Sequence, residues 1–146
     1  MNVKATLSPD DLARACADAM WKEDDASSGL GMKIVDVGPG RATLSMKVQP
    51  HMVNGQRIAH GGFIFTLADS AFAFACNSHN DRAVAAQGNI TFIRPGKLGD
   101  VLVASAREIS RSGRSGIYDV QVKAGFVLTC QAKPVSEKVV VDYDHV

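Results

Sequence analysis

The chain has 146 residues, 46% of them hydrophobic and 21% charged, with a formal net charge of +1. That is about one domain's length, with enough apolar material for a core, which excludes a disordered chain. The near-neutral balance excludes nucleic acid as a main partner, because a phosphate backbone calls for a concentrated basic face.

In chain order, "LSPDDLARACADAMWKED" predicts an amphipathic helix. Ser8 stands at the N-cap, Pro9 at the first helical position, and Leu12, Ala15, Cys16, Ala19 and Met20 recur at helical spacing. "ASSG" ends that unit. "LGMKIVDVGPGRATLSMKVQP" then alternates on either side of Gly38-Pro39-Gly40, which predicts a β-hairpin. "HMVNGQRIAH" reads as a loop. Residues 61–78 read as a helix that is apolar on almost every side, hence one buried or wrapped by a sheet.

The remainder predicts strands at 83–93, 101–109, 117–124 and 126–132, with a further short strand in "KVVVDYDHV". Short connections imply antiparallel pairing of successive strands. The expected class is α+β: a curved antiparallel sheet wrapped around one long central apolar helix, plus an N-terminal amphipathic helix, as one domain over residues 1–146. This is the picture called a hotdog fold.

No apolar run of signal-peptide length opens the chain, and no stretch is long enough to span a membrane. The expectation is a cytoplasmic protein without a membrane partner, in which Cys16, Cys76 and Cys130 are reduced thiols.

Chemistry concentrates in "AHGGFIFTLADSAFAFAC". Gly61 and Gly62 at a helix start leave backbone N–H groups free to donate where the helix dipole is positive, an oxyanion-type site for an ester or thioester carbonyl. The alternative is a tight entry turn. Asp69 is a lone carboxylate among apolar residues. A buried carboxylate costs several kcal/mol unless it has a partner or a task, and desolvation raises its pKa. It suits a general base acting on water or a nucleophile acting on an acyl carbon.

Gly61 and Asp69 are eight positions apart, about 12 Å along one helix. Reacting groups must lie within about 3–3.5 Å. If both act on one substrate, the second comes from an antiparallel helix of another subunit, which predicts a symmetric dimer with two equivalent sites.

His51, His60, His79 and His145 form no metal-ligand pair, so no metal is expected. His60 adjoins the candidate site as a loop-orienting or helix-capping residue. G-x-S-x-G, P-loop and G-x-G-x-x-G motifs are absent. Arg94 with Lys97, and Arg111 with Arg114, cluster in two turns that suit a phosphate-bearing ligand tail if they flank one sheet edge.

"NGQRIAHGGFIFTLADSAFAFACNS" and "NITFIRPGKLGD" resemble the hotdog-fold acyl-CoA thioesterases, and most of all their phenylacetate-degradation branch, over roughly residues 29–127. The resemblance implies hydrolysis of an aryl-acetyl-CoA thioester of the hydroxyphenylacetyl-CoA class, no cofactor, and a homodimer as active unit built into a homotetramer. It implies that Asp69 is the catalytic carboxylate, that the Gly61 N–H polarises the carbonyl, and that Asn54 and His60 shape the loop, Asn54 towards water or substrate. Gly62 and the basic turns, with Arg94, Lys97, Arg111 and Arg114, would bind CoA. Two departures stand out. Ala85 lies where some relatives carry a water-orienting serine, and the segment after Val127 lacks the usual end of the last long strand. Two other functions use the same residues: a hotdog hydratase or dehydratase pairing His60 with Asp69, and a non-catalytic acyl-CoA-binding protein. CoA release assayed against β-hydroxyacyl dehydration separates the first; turnover compared with binding in an Asp69 variant separates the second.

Overall fold

Ser8 begins the first helix as expected: its Oγ accepts the Asp11 N–H at 3.1 Å, and Pro9 fills the position whose N–H has no use. The computed structural model describes residues 6–125 and 137–143. Helix α1 (Pro9–Trp21) buries Ala13 and Ala17, with Leu12, Cys16 and Met20 half-buried beside them. The face is rotated from the one expected: Ala15 and Ala19 are exposed. Where "ASSG" was expected only to end the unit, a short helix α2 (Asp25–Gly29) forms, capped by Asp24.

Strands β1 (Lys33–Gly38) and β2 (Arg41–Lys47) make the predicted hairpin, with Gly38 opposite Arg41. Pro39 fixes its own φ, and Gly40 (φ +67°) supplies the positive φ that closes the turn. Ala42, Leu44 and Met46 point inward at period 2. After helix α3 (Gly61–Cys76) come β3 (Gln87–Phe92), β4 (Val101–Ser112), β5 (Ser115–Gly125) and β6 (Glu137–Tyr143).

All pairs are antiparallel, in the order β1-β2-β4-β5-β6-β3. Three strand expectations change. Residues 83–86 are irregular, so Ala85 is not on a strand. β4 runs on to Ser112, so "SRSGRSG" is mostly ladder around a tight turn at Gly113-Arg114. β3 does not pair with its successor: it lies at the far edge beside β6, because "RPGKLGD" carries the chain away from it to the middle of the sheet. The tail strand is β6; the strand expected at 126–132 lies outside the described residues, as does Cys130.

The sheet packs on α3 through β2, β4 and β5. Ile64, Leu67, Ala68, Ala71, Phe72, Phe74 and Ala75 are buried there, and the Phe72 ring meets Tyr118 edge-on at 5.4 Å between centroids. Phe72 and Phe74 are therefore core rather than pocket. One stripe stays uncovered: Gly62, Thr66, Asp69 and Ala73, spaced as one helix face, are exposed or half-buried. The expectation of a helix enclosed on all sides thus fails along that stripe, because a single sheet curves round only part of a cylinder.

Beyond the C-terminus of α3, Ser78 is buried; its Oγ accepts the Gly40 N–H at 2.8 Å and donates to the Ala75 carbonyl at 2.7 Å. It ties the helix end to the hairpin turn. Ser78→Ala leaves a buried N–H without acceptor and should cost about 1–3 kcal/mol, read as a lower midpoint in urea unfolding at unchanged slope.

Candidate active site

The N-terminus of α3 is built by the loop before it. The His60 N–H donates to the Met52 carbonyl at 2.8 Å and the Ala59 N–H to the Gly96 carbonyl at 2.9 Å, so the entry to the helix is pinned on both sides. His60 is the N-cap: its Nδ1 accepts the Gly62 N–H at 2.9 Å. That bond occupies the Nδ1 lone pair and leaves Nε2 as the protonated nitrogen of the neutral ring. It also alters the expectation for the two glycines. Gly62's N–H is taken by the cap. Gly61, first in the helix, has no intrahelical acceptor for its N–H, and no other acceptor is supplied among the described residues. One amide, not two, stays free at the positive end of the helix dipole.

Gly61 is glycine for a steric reason. A Cβ there would come within 2.8 Å of the Phe92 ring, which lies over it from β3. Beside this contact is a hollow of about 340 Å³ lined by Asn54, Ile58, Ala59, Gly61, Ile64 and residues 92–95, including Arg94. Asn54 closes a turn in the loop: its Oδ1 accepts the Gln56 N–H at 3.0 Å and the Ile58 N–H at 3.3 Å. Its amide Nδ2 keeps its donors. Asn54, Gly61 and Arg94 are thus brought together, with His60 holding the helix start behind them.

Asp69 is on the same helix and outside this hollow. The expectation that it is buried is not met in the single chain: it is exposed, on the uncovered stripe. Among the described residues it has no hydrogen-bond or ion-pair partner. Its pKa is nonetheless raised, first because crowding by the helix surface strips water from the carboxylate, then because the negative charge of Asp24 is near. Asp24 was not foreseen. Its Oδ1 accepts the Ser27 N–H at 2.9 Å and its Oδ2 the Ser27 Oγ–H at 2.6 Å, while Ser27 Oγ lies 2.7 Å from Ser70 Oγ. With its only proton given to Asp24, Ser27 accepts from Ser70. This hydroxyl chain ties α2 to α3 beside Asp69. The Asp-x-x-Ser spacing of an N-cap was the available signal.

The basic turns do not share one sheet edge within the chain. Arg94 borders the Gly61 hollow; Lys97 is exposed in the following turn, its N–H held by Asp100 Oδ2 at 2.9 Å. Arg111 and Arg114 are at the opposite end of β4, roughly 35 Å away at about 3.3 Å per residue. Arg111 is ion-paired to Asp81.

Cys76 is buried, which pushes its thiol up to about 12, and with Cys16 it is unbridged. Among the described residues no three His, Cys, Asp or Glu side chains are grouped to hold a metal ion, and no helix is long and apolar enough to cross a membrane.

A family model described as the thioesterase superfamily matches residues 56–134. The chain is 42% identical to the acyl-coenzyme A thioesterase PaaI of Escherichia coli, over 73% of this chain and 76% of that protein. The structure of the E. coli PaaI protein from the phenylacetic acid degradation operon superposes with a TM-score of 0.88 at 35% identity, over 95% of this chain and 96% of that one. A Streptococcus mutans protein solved bound to acetyl CoA superposes with a TM-score of 0.70 at 26% identity, over 77% of this chain and 86% of that one. The fold is the hotdog fold, and the chain belongs to the thioesterase superfamily.

Proposed function

We propose that the protein hydrolyses acyl-CoA thioesters of the aryl-acetyl, hydroxyphenylacetyl class, with Asp69 of one subunit and the Gly61 N–H of another acting on the same substrate. The observation that carries this reading is a Gly61 amide without an acceptor among the described residues, opening on a lined hollow at a helix N-terminus, on a helix whose uncovered stripe displays a carboxylate without a partner among the described residues. Two such helices laid antiparallel, stripe against stripe, bring each Asp69 to the other chain's Gly61. The edge strand β3, with Phe92 52% exposed and Ile93 just beyond its end 57% exposed, supports the same pairing. The pairing gives a homodimer as active unit, and two dimers give the homotetramer. A cytoplasmic setting accords with the unbridged thiols.

In this arrangement the thioester carbonyl lies against the Gly61 N–H, which stabilises the oxyanion as the tetrahedral intermediate forms. Asp69 takes the proton of the attacking water; its raised pKa fits a base better than an ordinary carboxylate would. The intermediate collapses by breaking the C–S bond, and the CoA thiolate leaves. Asn54 aims its Nδ2 donors into the hollow towards water or substrate. Arg94 and Lys97 meet the incoming CoA. The hydratase reading is weakened because His60 uses Nδ1 for the helix cap.

The direct test is kcat/KM across phenylacetyl-, hydroxyphenylacetyl- and straight-chain acyl-CoA esters, with CoA release as readout. The aryl-acetyl esters should lead. Dehydration of a β-hydroxyacyl-CoA without CoA release would overturn the reading. The pH dependence follows from the direction of the Asp69 shift: only the carboxylate is active, so activity falls on acidification through a value above the ordinary 3.8. The acid limb of kcat/KM should lie above the ordinary value of an aspartate and be lost in the residual activity of Asp69→Asn.

A further inference from the structure

We infer that a hollow between the end of α1 and the entry to β1 is a binding site for a small aromatic carboxylate, the class of free acid that hydrolysis of an aryl-acetyl thioester releases. The class of ligand rests on the reading above. The hollow measures about 580 Å³, against about 340 Å³ at Gly61, and shares no lining residue with that site. Asp18, Trp21 and Lys22 line it from the end of α1, and Met32, Lys33 and Ile34 from the entry to β1.

The floor is apolar and held from behind. Trp21 meets Phe74 of α3 at 6.0 Å between ring centroids, and Phe74 is buried, so the half-buried indole leans on the core while it lines the hollow. Met32 is buried; its N–H donates to the Ser27 carbonyl at 3.0 Å, and Gly31 at φ +71° turns the chain into it. Ile34 is held in register opposite Leu44 of β2. Walls that already stand lose little entropy when a ligand enters. A concave site with an apolar floor and a few polar groups is the usual form of a small-molecule site.

The rim carries an excess of positive charge. Lys22 and Lys33 are exposed, one from each wall, and neither has a hydrogen-bond or ion-pair partner among the described residues. Asp18, one helical turn before Lys22, is the single carboxylate of the lining, so two ammonium groups face one acid. The ligand that answers this lining has a flat apolar body and one negative end. Its ring stacks on the indole and takes the Met32 thioether at its edge. Its carboxylate takes the ammonium that Asp18 leaves unanswered. A neutral arene leaves that charge unanswered, and an inorganic anion leaves the apolar floor in water. An aryl-acetate, with ring and carboxylate one carbon apart, spans floor and rim.

Trp21 is the chain's one tryptophan, so its emission reports from the hollow itself. The experiment titrates the protein with phenylacetate and, at matched ionic strength, with phenylacetamide, which has nearly the same shape and no charge. It is run in the wild type and in Lys22→Gln/Lys33→Gln. In the wild type Trp21 emission should change saturably, with phenylacetate bound about fivefold or more tighter than the amide. The double variant should bind the two alike. Because the readout is a ratio within each protein, loss of folded protein cancels. No saturable response to phenylacetate in the wild type, or an undiminished preference in the variant, overturns the site. CoA release from phenylacetyl-CoA is measured on the same wild-type preparation. Hydrolysis without a Trp21 response discards the site and leaves the thioesterase reading standing. Failure to cleave the ester removes that reading and the inference with it. If the double variant does not fold, Lys33→Gln alone, exposed on the edge strand, carries the same comparison.

Discussion

Asp69→Asn abolishes most turnover: kcat falls by on the order of 10²–10⁴-fold, while binding of the CoA ester changes little. The substitution keeps the size of the side chain and removes its basicity, so the loss reports chemistry rather than packing. The same variant carries a second signature. Folded Asp69 has a pKa above its ordinary 3.8, so ionising it is less favourable in the folded protein than in the unfolded one. That destabilisation is fully present above the folded value and absent below the unfolded one. Asp69→Asn should therefore be at least as stable as wild type at neutral pH, and the difference should vanish as pH falls below the ordinary carboxylate range. Thermal unfolding at matched protein concentration reads it. A dead but stabilised variant is the pattern of a residue kept for catalysis against folding. Retained hydrolysis in Asp69→Ala would remove the residue from the mechanism.

Gly61→Ala should lower kcat by on the order of 10²-fold, the scale of a displacement of about 1 Å at a reacting centre. The backbone N–H survives the substitution, but the new methyl group would stand 2.8 Å from the Phe92 ring. Either the ring swings into the hollow or the helix start shifts, and both move the carbonyl relative to its donor. Phe92 is half exposed on the edge strand, so trimming it does not open the core. Gly61→Ala/Phe92→Ala should regain part of the lost kcat, and its absence of recovery would show that the Gly61 contact matters for some other reason. Gly62→Ala is milder by the same geometry, since its Cβ would meet only the His60 ring, at 3.1 Å.

Much of this arrangement is legible in the sequence because its signals are local. Ser8-Pro9 announces α1, Pro39-Gly40 the hairpin, and the length and greasiness of residues 61–76 the central helix. The motif from His60 to Asp69 carries its own geometry, since helical rise alone separates Gly61 from Asp69. What escaped depends on pairings between distant segments. The partner of β3 is β6, about fifty residues on, and no local pattern marks that register. Asp24 comes near Asp69 only once α2 is tied to α3 through Ser27 and Ser70, and Arg82 meets Arg114 only once the sheet is formed. Asp69 was expected to be buried because its neighbours in sequence are apolar; helical spacing places it on the one stripe the sheet leaves bare.

The claim on which the mechanism depends is that each site takes Asp69 from one chain and the Gly61 amide from another. Co-expression of Asp69→Asn with Gly61→Val under two affinity tags, followed by purification on both, isolates mixed dimers of two defective chains. Each mixed dimer keeps one site with an intact carboxylate and an intact amide, and loses the other. Roughly half of the wild-type activity per dimer is the predicted result, against near-zero activity in either parent. Mixed dimers as inactive as both parents would contradict a site shared between chains.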